Sequence, residues 1–182
     1  TCFASGLGAE ECEIWTDTDG VMSADPSLVE DARSIPFMSF AEASELAYYG
    51  GRVLHPSTLL PAIKKNIPVR VLNTNRPDHP GTVITEEGGE NPNAVTSIAY
   101  MEGQSVITIE SPSMLGQAGF MAKVCDVLGR EKIDIDMITT SEISVSMTCS
   151  GQSILNEAVR QLEPLGQITV VTDTTIVCVV GK

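Results

Sequence analysis

The second half of the chain has an order of predicted strands and helices that few folds can accommodate. Alternating apolar side chains predict strands, whereas apolar side chains at helical spacing predict helices. Strands are expected at residues 105–110, 133–140, 143–149 and 168–171, and helices at residues 120–132 and 151–165. This βαββαβ order predicts a ferredoxin-like α+β fold, in which two helices cover one face of an antiparallel sheet.

The first half of the chain indicates a different architecture. Strands are expected at residues 11–15, 67–72 and 81–84. Two helices are predicted between the first and second of these strands. The first begins at a capping box formed by Ser39 and Glu42, and the second has Pro56 in its first turn. The order strand–helix–helix–strand predicts part of an open α/β sheet.

A polar segment rich in Gly, Asn and Glu at residues 85–94 separates the two patterns. Such segments are typical of domain boundaries. We therefore predict two domains, residues 1–90 and residues 91–182. A last strand at residues 175–180 follows the βαββαβ unit.

The excess of acidic side chains restricts the partners of the chain. Asp and Glu number 24 against 11 Lys and Arg, which gives a net charge of −13. Contacts to phosphate backbones and anionic lipids need basic side chains, so nucleic acid and membrane partners are not expected. No pair among the five cysteines has zinc-ligand spacing, so no metal site is predicted. Reduced thiols favour the cytoplasm, with an organelle left open.

The stretch Trp15–Pro26 places a hydroxyl and a carboxylate directly after a predicted strand, at Thr16 and Asp17. Ligands of open α/β sheets lie outside the carboxyl ends of the strands. Thr16 and Asp17 could therefore bind a nucleotide's ribose or base, or its metal. On spacing alone, an ordinary acidic turn is the better explanation of the stretch, because Asp-Gly turns are common.

The stretch Gly50–Pro56 follows the first predicted helix of this half. Adjacent glycines let a backbone pass close to a ligand, and Arg52 could neutralise a phosphate. The alternative is a helix C-cap followed by a surface arginine. We interpret His55 as a structural residue because no nucleophile lies near it in sequence.

Together these stretches belong to a longer series. Its parts are Trp15–Val21, Asp25–Pro26, Val53–Pro56, Ile67–Val71, Gly81–Ile84, Met114–Phe120 and Ile135–Ser146. In this order, and with short gaps, the series resembles aspartokinases of the amino acid kinase superfamily, which carry C-terminal ACT regulatory units. The resemblance covers nearly the whole chain and implies the C-terminal part of a kinase sheet followed by a ferredoxin-like ACT domain.

The resemblance implies an enzyme that transfers the γ-phosphoryl group of Mg-ATP to the β-carboxylate of L-aspartate. This reaction is the first step towards lysine, threonine and methionine. By position, Thr16 and Asp17 match residues that contact ATP, and Arg52 and Val53 match a Lys-Val pair that lines the same site. Phosphoryl transfer depends mostly on positioning and charge neutralisation.

The chain departs from the family pattern in two respects. Family members often have Tyr at the position of Met22 and a basic residue at the position of Ser27. The family's N-terminal phosphate motif and aspartate-binding segment are also absent, so no catalytic residue is assigned here. We expect a fragment that is inactive alone, with residues 175–182 starting a second ACT unit.

A second site is expected in the ACT unit. The loop at residues 113–120 leads into a helix N-terminus, which can hold an α-carboxylate, and Asp136, Ser141 and Glu142 could take an ammonium group. Periodicity alone favours packing for Met114 and solvation for Asp136 and Glu142, and only the resemblance reverses this preference. The resemblance implies an effector site between ACT units of two subunits. By position it includes Met114, Gln117, Ala118, Met121, Ile135, Asp136, Ser141 and Glu142.

The resemblance implies lysine as the effector, with threonine as the competitor, and a homodimer formed through the ACT units. The parent enzyme could also be fused to homoserine dehydrogenase. A different hypothesis is an amino-acid-sensing ACT protein with a non-catalytic remnant of a kinase. The gene segment upstream of Thr1 would distinguish the two hypotheses.

Overall fold

The computed structural model describes residues 1–50, 54–89, 94–150 and 155–181. The chain divides into two compact units. The first comprises Thr1–Tyr100 and Val177–Lys182, and the second comprises Met101–Ile176. The strands β5 (Val95–Glu110) and β8 (Gln167–Gly181) contribute residues to both units. The domain division at residue 90 stays a prediction.

The first unit is built on a mixed four-stranded sheet. Its elements are α1 (Cys2–Leu7), β1 (Cys12–Thr16), β2 (Phe37–Ser39), α2 (Phe40–Tyr48), α3 (Pro56–Ile63), β3 (Val69–Asn73) and β4 (Thr82–Thr85). The strand order is β1-β3-β4-β2. The β1–β3 and β2–β4 pairs are parallel, and the β3–β4 pair is antiparallel. The expected α/β class is confirmed.

Short-range patterns account for much of this unit. Val69 and Val71 alternate on β3 and are both fully buried, as their spacing predicts. The capping box at the start of α2 is present: the Glu42 N–H donates to the Ser39 hydroxyl at 3.2 Å, and the Ser39 N–H donates to the Glu42 carboxylate at 2.8 Å. His55 is the N-cap of α3, where its Nδ1 accepts the Ser57 N–H at 3.3 Å. The structural interpretation of His55 is therefore confirmed.

The second unit has the ferredoxin-like arrangement. Between β5 and β8 it contains α4 (Phe120–Arg130), β6 (Ile135–Thr140), β7 (Ser144–Ser150) and α5 (Leu155–Leu162). The strand order is β6-β7-β5-β8, and β5 and β6 both pair antiparallel with β7. Phe120, Val124 and Leu128 of α4 share one core with β5, β7 and α5. This confirms the βαββαβ prediction.

The end of the chain differs from the expectation of two strands at residues 168–171 and 175–180. A single strand, β8, runs through both. Asp173 lies between them with φ 57, a left-handed conformation that Asp tolerates better than most residues. A polar residue in this conformation is consistent with a local irregularity within one strand. The side chains of Cys178 and Val180 contribute to the first unit's core.

The strand β5 is longer than expected, since it begins at Val95 rather than at Ser105. Thr96 and Ser97 are buried in its first part and Ile98 is exposed, which inverts the usual binary pattern. The strand β2 and the helix α1 were also outside the sequence prediction, and both are short. The predicted helix at residues 151–165 is represented by α5 and a 3₁₀ turn at Glu163–Leu165, while residues 151–154 lie outside the described residues. In the described part of the chain, no helix combines the length and the apolarity that a bilayer span requires.

Candidate functional site

The loop after β1 lies at the carboxyl ends of two parallel strands. Thr16 ends β1 and pairs in register with Asn73, the last residue of β3. The Thr74 N–H donates to the Thr16 carbonyl at 2.7 Å, and the Thr16 hydroxyl donates to the Asp17 carboxylate at 3.2 Å. This is the edge where open α/β sheets bind ligands.

Polar contacts hold the next part of the loop. The Asp19 carboxylate accepts the Asn73 amide at 2.7 Å and forms an ion pair with Arg76. The Thr82 hydroxyl accepts the Val21 N–H at 2.8 Å. These contacts attach the loop to the ends of β3 and β4, so its backbone position is defined by the sheet.

The second turn of the loop is organised around Asp25. One carboxylate oxygen, Oδ1, accepts the Ser27 N–H at 2.9 Å and the Ser27 hydroxyl at 2.6 Å. The other oxygen, Oδ2, accepts the Tyr100 hydroxyl at 3.2 Å. The Asp25 carboxylate is therefore hydrogen-bonded at both oxygens, and one of its donors comes from β5.

These segments enclose a cavity of about 370 Å³. Its size lies within the range of small-molecule sites, about 300–1,000 Å³. Its walls are the loop after β1, one face of α2, the first part of β5, and single residues of neighbouring segments. The lining residues are Thr16, Asp17, Thr18, Val21, Met22, Ala24, Asp25, Pro26, Met38, Ala43, Leu46, Ala47, Gly50, Leu54, Ile98, Ala99 and Tyr100.

The structure brings part of the predicted nucleotide site together. Thr16 and Asp17 both line the cavity, Thr16 half-buried and Asp17 exposed. Arg52 and Val53 lie outside the described residues, but Gly50 and Leu54, on either side of them, line the same cavity. The role of these four residues in nucleotide binding stays a prediction.

Sequence reasoning missed the contribution of β5 to this cavity. Ile98, Ala99 and Tyr100 line it, although they lie far from the loop along the chain. The Ile98 N–H donates to the Ser23 carbonyl at 2.9 Å, which aligns β5 with the loop. No sequence motif marks this pairing.

The predicted effector residues lie in the second unit, on three segments. Met114, Gln117 and Ala118 belong to the loop before α4, and Met121 to its first turn; Met114 and Met121 pack against the core. Gln117 and Ala118 are exposed. Gly119 is the N-cap of α4, and none of the described side chains forms a capping hydrogen bond there.

The remaining effector residues lie at opposite ends of β6. Ser141 and Glu142 form the exposed β6–β7 turn, and the Ser111 N–H donates to the Ile143 carbonyl at 2.8 Å, which joins this turn to the loop before α4. Ile135 and Asp136 begin β6, where the pairing with β7 shifts register between Ile135 and Met137. At about 3.4 Å per residue, the two ends are separated by roughly 20 Å. One chain therefore does not bring all eight residues to one small ligand.

The environment beside Asp136 shifts the pKa of the Cys149 thiol. Burial, and then the nearby Asp136 carboxylate, raise the pKa of the Cys149 thiol above its ordinary value. Cys149 is buried in the second core, and its thiol points at the Ser105 carbonyl, with 3.8 Å between Sγ and the oxygen. Among the described residues, no group of three or more His, Cys, Asp and Glu side chains could hold a metal ion.

Comparisons with known proteins assign a family to each half of the chain. The amino acid kinase family matches residues 1–73, and the ACT domain matches residues 107–164. The chain is 38% identical over 191 residues to the protein named Aspartokinase 3, chloroplastic, of Arabidopsis thaliana. The aligned region covers 100% of this chain and 34% of that protein. The chain spans about a third of the length of such curated relatives.

Two solved structures of Escherichia coli aspartokinase III are similar over 98% of this chain and 41% of theirs. The complex with aspartate and ADP, in the R-state, has a TM-score of 0.86 at 36% identity. The complex with lysine and aspartate, in the T-state, has a TM-score of 0.82 at 37% identity. The fold and the order of the two halves are thus shared with these proteins.

Proposed function

Because the chain belongs to the aspartokinase family, we propose that it forms one wall of the nucleotide site and the first effector site of an aspartate kinase. The reaction is transfer of the γ-phosphoryl group of Mg-ATP to the β-carboxylate of L-aspartate. The observation that supports it most strongly is the cavity at the carboxyl ends of β1 and β3, with Thr16 and Asp17 on its wall. The similar Escherichia coli structure contains aspartate and ADP.

The cavity wall suits the nucleoside more than the phosphates. Most of its lining is apolar, which favours a base and ribose, with Thr16 and Thr18 as hydrogen-bonding groups. Asp17 is the exposed carboxylate that would hold Mg²⁺ carried by the nucleotide phosphates, since Mg²⁺ often uses one or two carboxylates together with phosphate and water. The bound ion would neutralise charge on the phosphates.

Nucleotide binding by the 182-residue chain tests this proposal. We expect isothermal titration with MgATP and MgADP to give one site per chain. Asp17→Ala should weaken binding about tenfold, since hydrogen bonds to charged groups contribute about 1.5–3 kcal/mol. Asp78→Ala removes an exposed carboxylate of a loop in the same unit and should leave binding unchanged. A wild-type chain that binds neither nucleotide would contradict the proposal.

The chain alone is proposed to lack kinase activity. Phosphoryl transfer requires cationic groups around the transferred phosphoryl. None of the described residues that line the cavity is Lys or Arg. We therefore expect no product in a hydroxamate assay with aspartate and MgATP, and measurable turnover by the purified chain would refute this expectation.

The second part of the proposal is feedback regulation by an amino acid, with lysine as the first candidate and threonine as the second. Lysine is present in the similar T-state structure. In this chain the predicted ligands divide between the two ends of β6, and β6 is an edge strand of its sheet. Antiparallel pairing of β6 from two copies would bring Ile135 and Asp136 of one copy to Ser141 and Glu142 of the other. A homodimer through the ACT units therefore completes the site.

The effector proposal is tested by titration with L-lysine and L-threonine. Asp136→Asn should weaken binding of the effector about tenfold, because it removes the negative charge that would pair with the effector's ammonium group. Asp134→Asn, two residues earlier and exposed, is the matched control and should leave affinity unchanged. Silence towards both amino acids would refute the effector site.

A second candidate function is an ACT sensing module with a non-catalytic kinase remnant. The observation in its favour is the lack of basic side chains among the described residues of the cavity. Binding of lysine or threonine without any binding of MgATP or MgADP would support it. With either function, the five free cysteines suit a reducing compartment, which could be the cytoplasm or an organelle.

A further inference from the structure

Tyr100 lines the candidate nucleotide cavity from a strand that no sequence motif connects to it. Its side chain is half-buried, and its hydroxyl donates to Asp25 Oδ2 at 3.2 Å. Asp25 belongs to the second turn of the loop after β1, and its other oxygen, Oδ1, accepts two donors from Ser27. The Tyr100 hydroxyl is therefore held by a carboxylate whose orientation is fixed on the opposite side.

The backbone of Tyr100 is also confined. A Cβ placed on Gly50 would lie 2.3 Å from the Tyr100 carbonyl oxygen, and Gly50 has φ +104. Both observations require glycine at this position, since a side chain would collide with the backbone in a conformation that L residues rarely adopt. The backbone at Gly50, just after α2, therefore packs directly against the backbone of Tyr100.

The strand before Tyr100 is attached along the loop. The Ser97 hydroxyl contacts the Met22 and Ser23 carbonyls, each at 3.1 Å, and the Ile98 N–H donates to the Ser23 carbonyl at 2.9 Å. These bonds fix the register of β5 against the loop. Tyr100 thus has a defined position between the loop after β1 and Gly50.

We propose that Tyr100 is a nucleotide-binding residue and that the base packs on its ring. This inference rests on the nucleotide site proposed above. Tyr100 is the only aromatic residue among the described residues that line the cavity. The remaining wall beside it is aliphatic or polar, with the flexible thioether of Met22 in the loop. Bases pack favourably on aromatic rings whatever their identity, because each base has a π face.

Tyr100 also has a positioning effect through its hydroxyl. The Tyr100 hydroxyl donates a hydrogen bond to Asp25 Oδ2, which holds the ring in a fixed orientation. Without this bond, the ring can still contact the base but is no longer held in place by Asp25. The ring and the hydroxyl therefore make separable contributions, and Phe and Leu substitutions distinguish them.

The experiment compares MgATP with magnesium tripolyphosphate, which has the phosphates without a base. Both are titrated into the 182-residue chain and its Tyr100→Leu, Tyr100→Phe and Tyr48→Leu variants. Tyr100→Leu should weaken MgATP binding about tenfold, as expected for a lost base–aromatic contact, and leave tripolyphosphate binding unchanged. Tyr100→Phe should weaken MgATP binding only about threefold, since the ring remains. Tyr48→Leu removes an exposed tyrosine of the same unit and should bind both ligands like the wild type.

Each remaining outcome is decisive. Wild-type affinity of Tyr100→Leu for MgATP, or equal loss of MgATP and tripolyphosphate, would overturn the role of Tyr100 while leaving the nucleotide site in place. A wild-type chain that binds no MgATP would overturn the nucleotide site and this inference together. Tyr100→Met fills similar space without a ring, and it replaces the Leu variant in the comparison if circular dichroism shows that the latter is unfolded.

Discussion

The Thr96 hydroxyl donates to the Glu42 carboxylate at 2.6 Å, and both residues are buried. Glu42 also accepts the Ser39 N–H at 2.8 Å as part of the capping box. One carboxylate therefore connects the N-terminus of α2 to the first part of β5. Since α2 and β5 form two walls of the cavity, this bond fixes the distance between those walls.

Replacing Thr96 by Val should destabilise the first unit by about 1–3 kcal/mol, the usual cost of leaving a buried polar group without one of its partners. Urea unfolding followed by the fluorescence of Trp15, the single tryptophan, measures the change. Thr96→Ser keeps the hydroxyl and should retain most of the stability. Equal unfolding midpoints for Thr96→Val and the wild type would show that the bond contributes nothing.

Gly50→Ala should be more destabilising than Gly8→Ala. Both glycines have a positive φ, which costs Ala roughly 1–2 kcal/mol. At Gly50 the added Cβ would also lie 2.3 Å from the Tyr100 carbonyl oxygen, whereas no atom of the described chain lies within 4 Å of a Cβ at Gly8. We expect Gly50→Ala to lower MgATP affinity as well, because it displaces Tyr100 from the cavity wall. Equal stability and equal affinity in the two variants would contradict the close approach.

Local patterns explain which parts of the fold could be predicted. The capping box of Ser39 and Glu42, and the alternation of Val69 and Val71, depend on neighbouring residues and were correct. The first part of β5 was missed because Thr96 and Ser97 face inward on hydrogen bonds to distant segments. Polar residues in such positions read as a loop when only the sequence is considered.

The candidate site divides in the same way. Thr16 and Asp17 were identifiable because they directly follow β1, and the position of a strand's carboxyl end can be inferred from its pattern. Tyr100 was not, because its bond to Asp25 joins residues 75 positions apart. Contacts of this kind depend on strand pairing, which local periodicity does not specify.

Ile138→Lys should prevent the homodimer that we propose to form through β6. Ile138 is 47% exposed on an edge strand, so the side chain carries little packing energy within one chain. A lysine on each copy at a paired edge would place like charges close together. Light scattering should then give the monomer mass, and the binding of the effector should be lost with the dimer.

Val171→Lys is the matched control for this prediction. Val171 is 51% exposed on β8, the opposite edge strand of the same sheet. This variant should remain dimeric and bind the effector normally. A monomeric Val171→Lys variant beside a dimeric Ile138→Lys variant would move the interface to the β8 edge and refute the proposed arrangement of the effector site.

The buried thiol of Cys149 should make the second unit less stable at alkaline pH. Burial, followed by the Asp136 carboxylate, raises the pKa of Cys149 above its ordinary value of 9.0. The folded state therefore holds the proton at pH values where the unfolded state releases it, so stability falls as the pH rises from about 9 through the folded pKa. Cys149→Ala should be less stable than the wild type at neutral pH, because it leaves a small cavity. Urea unfolding followed by circular dichroism at pH 7.5 and pH 10 should show this stability difference shrinking at the higher pH. A difference that stays constant or grows with pH would contradict the raised pKa.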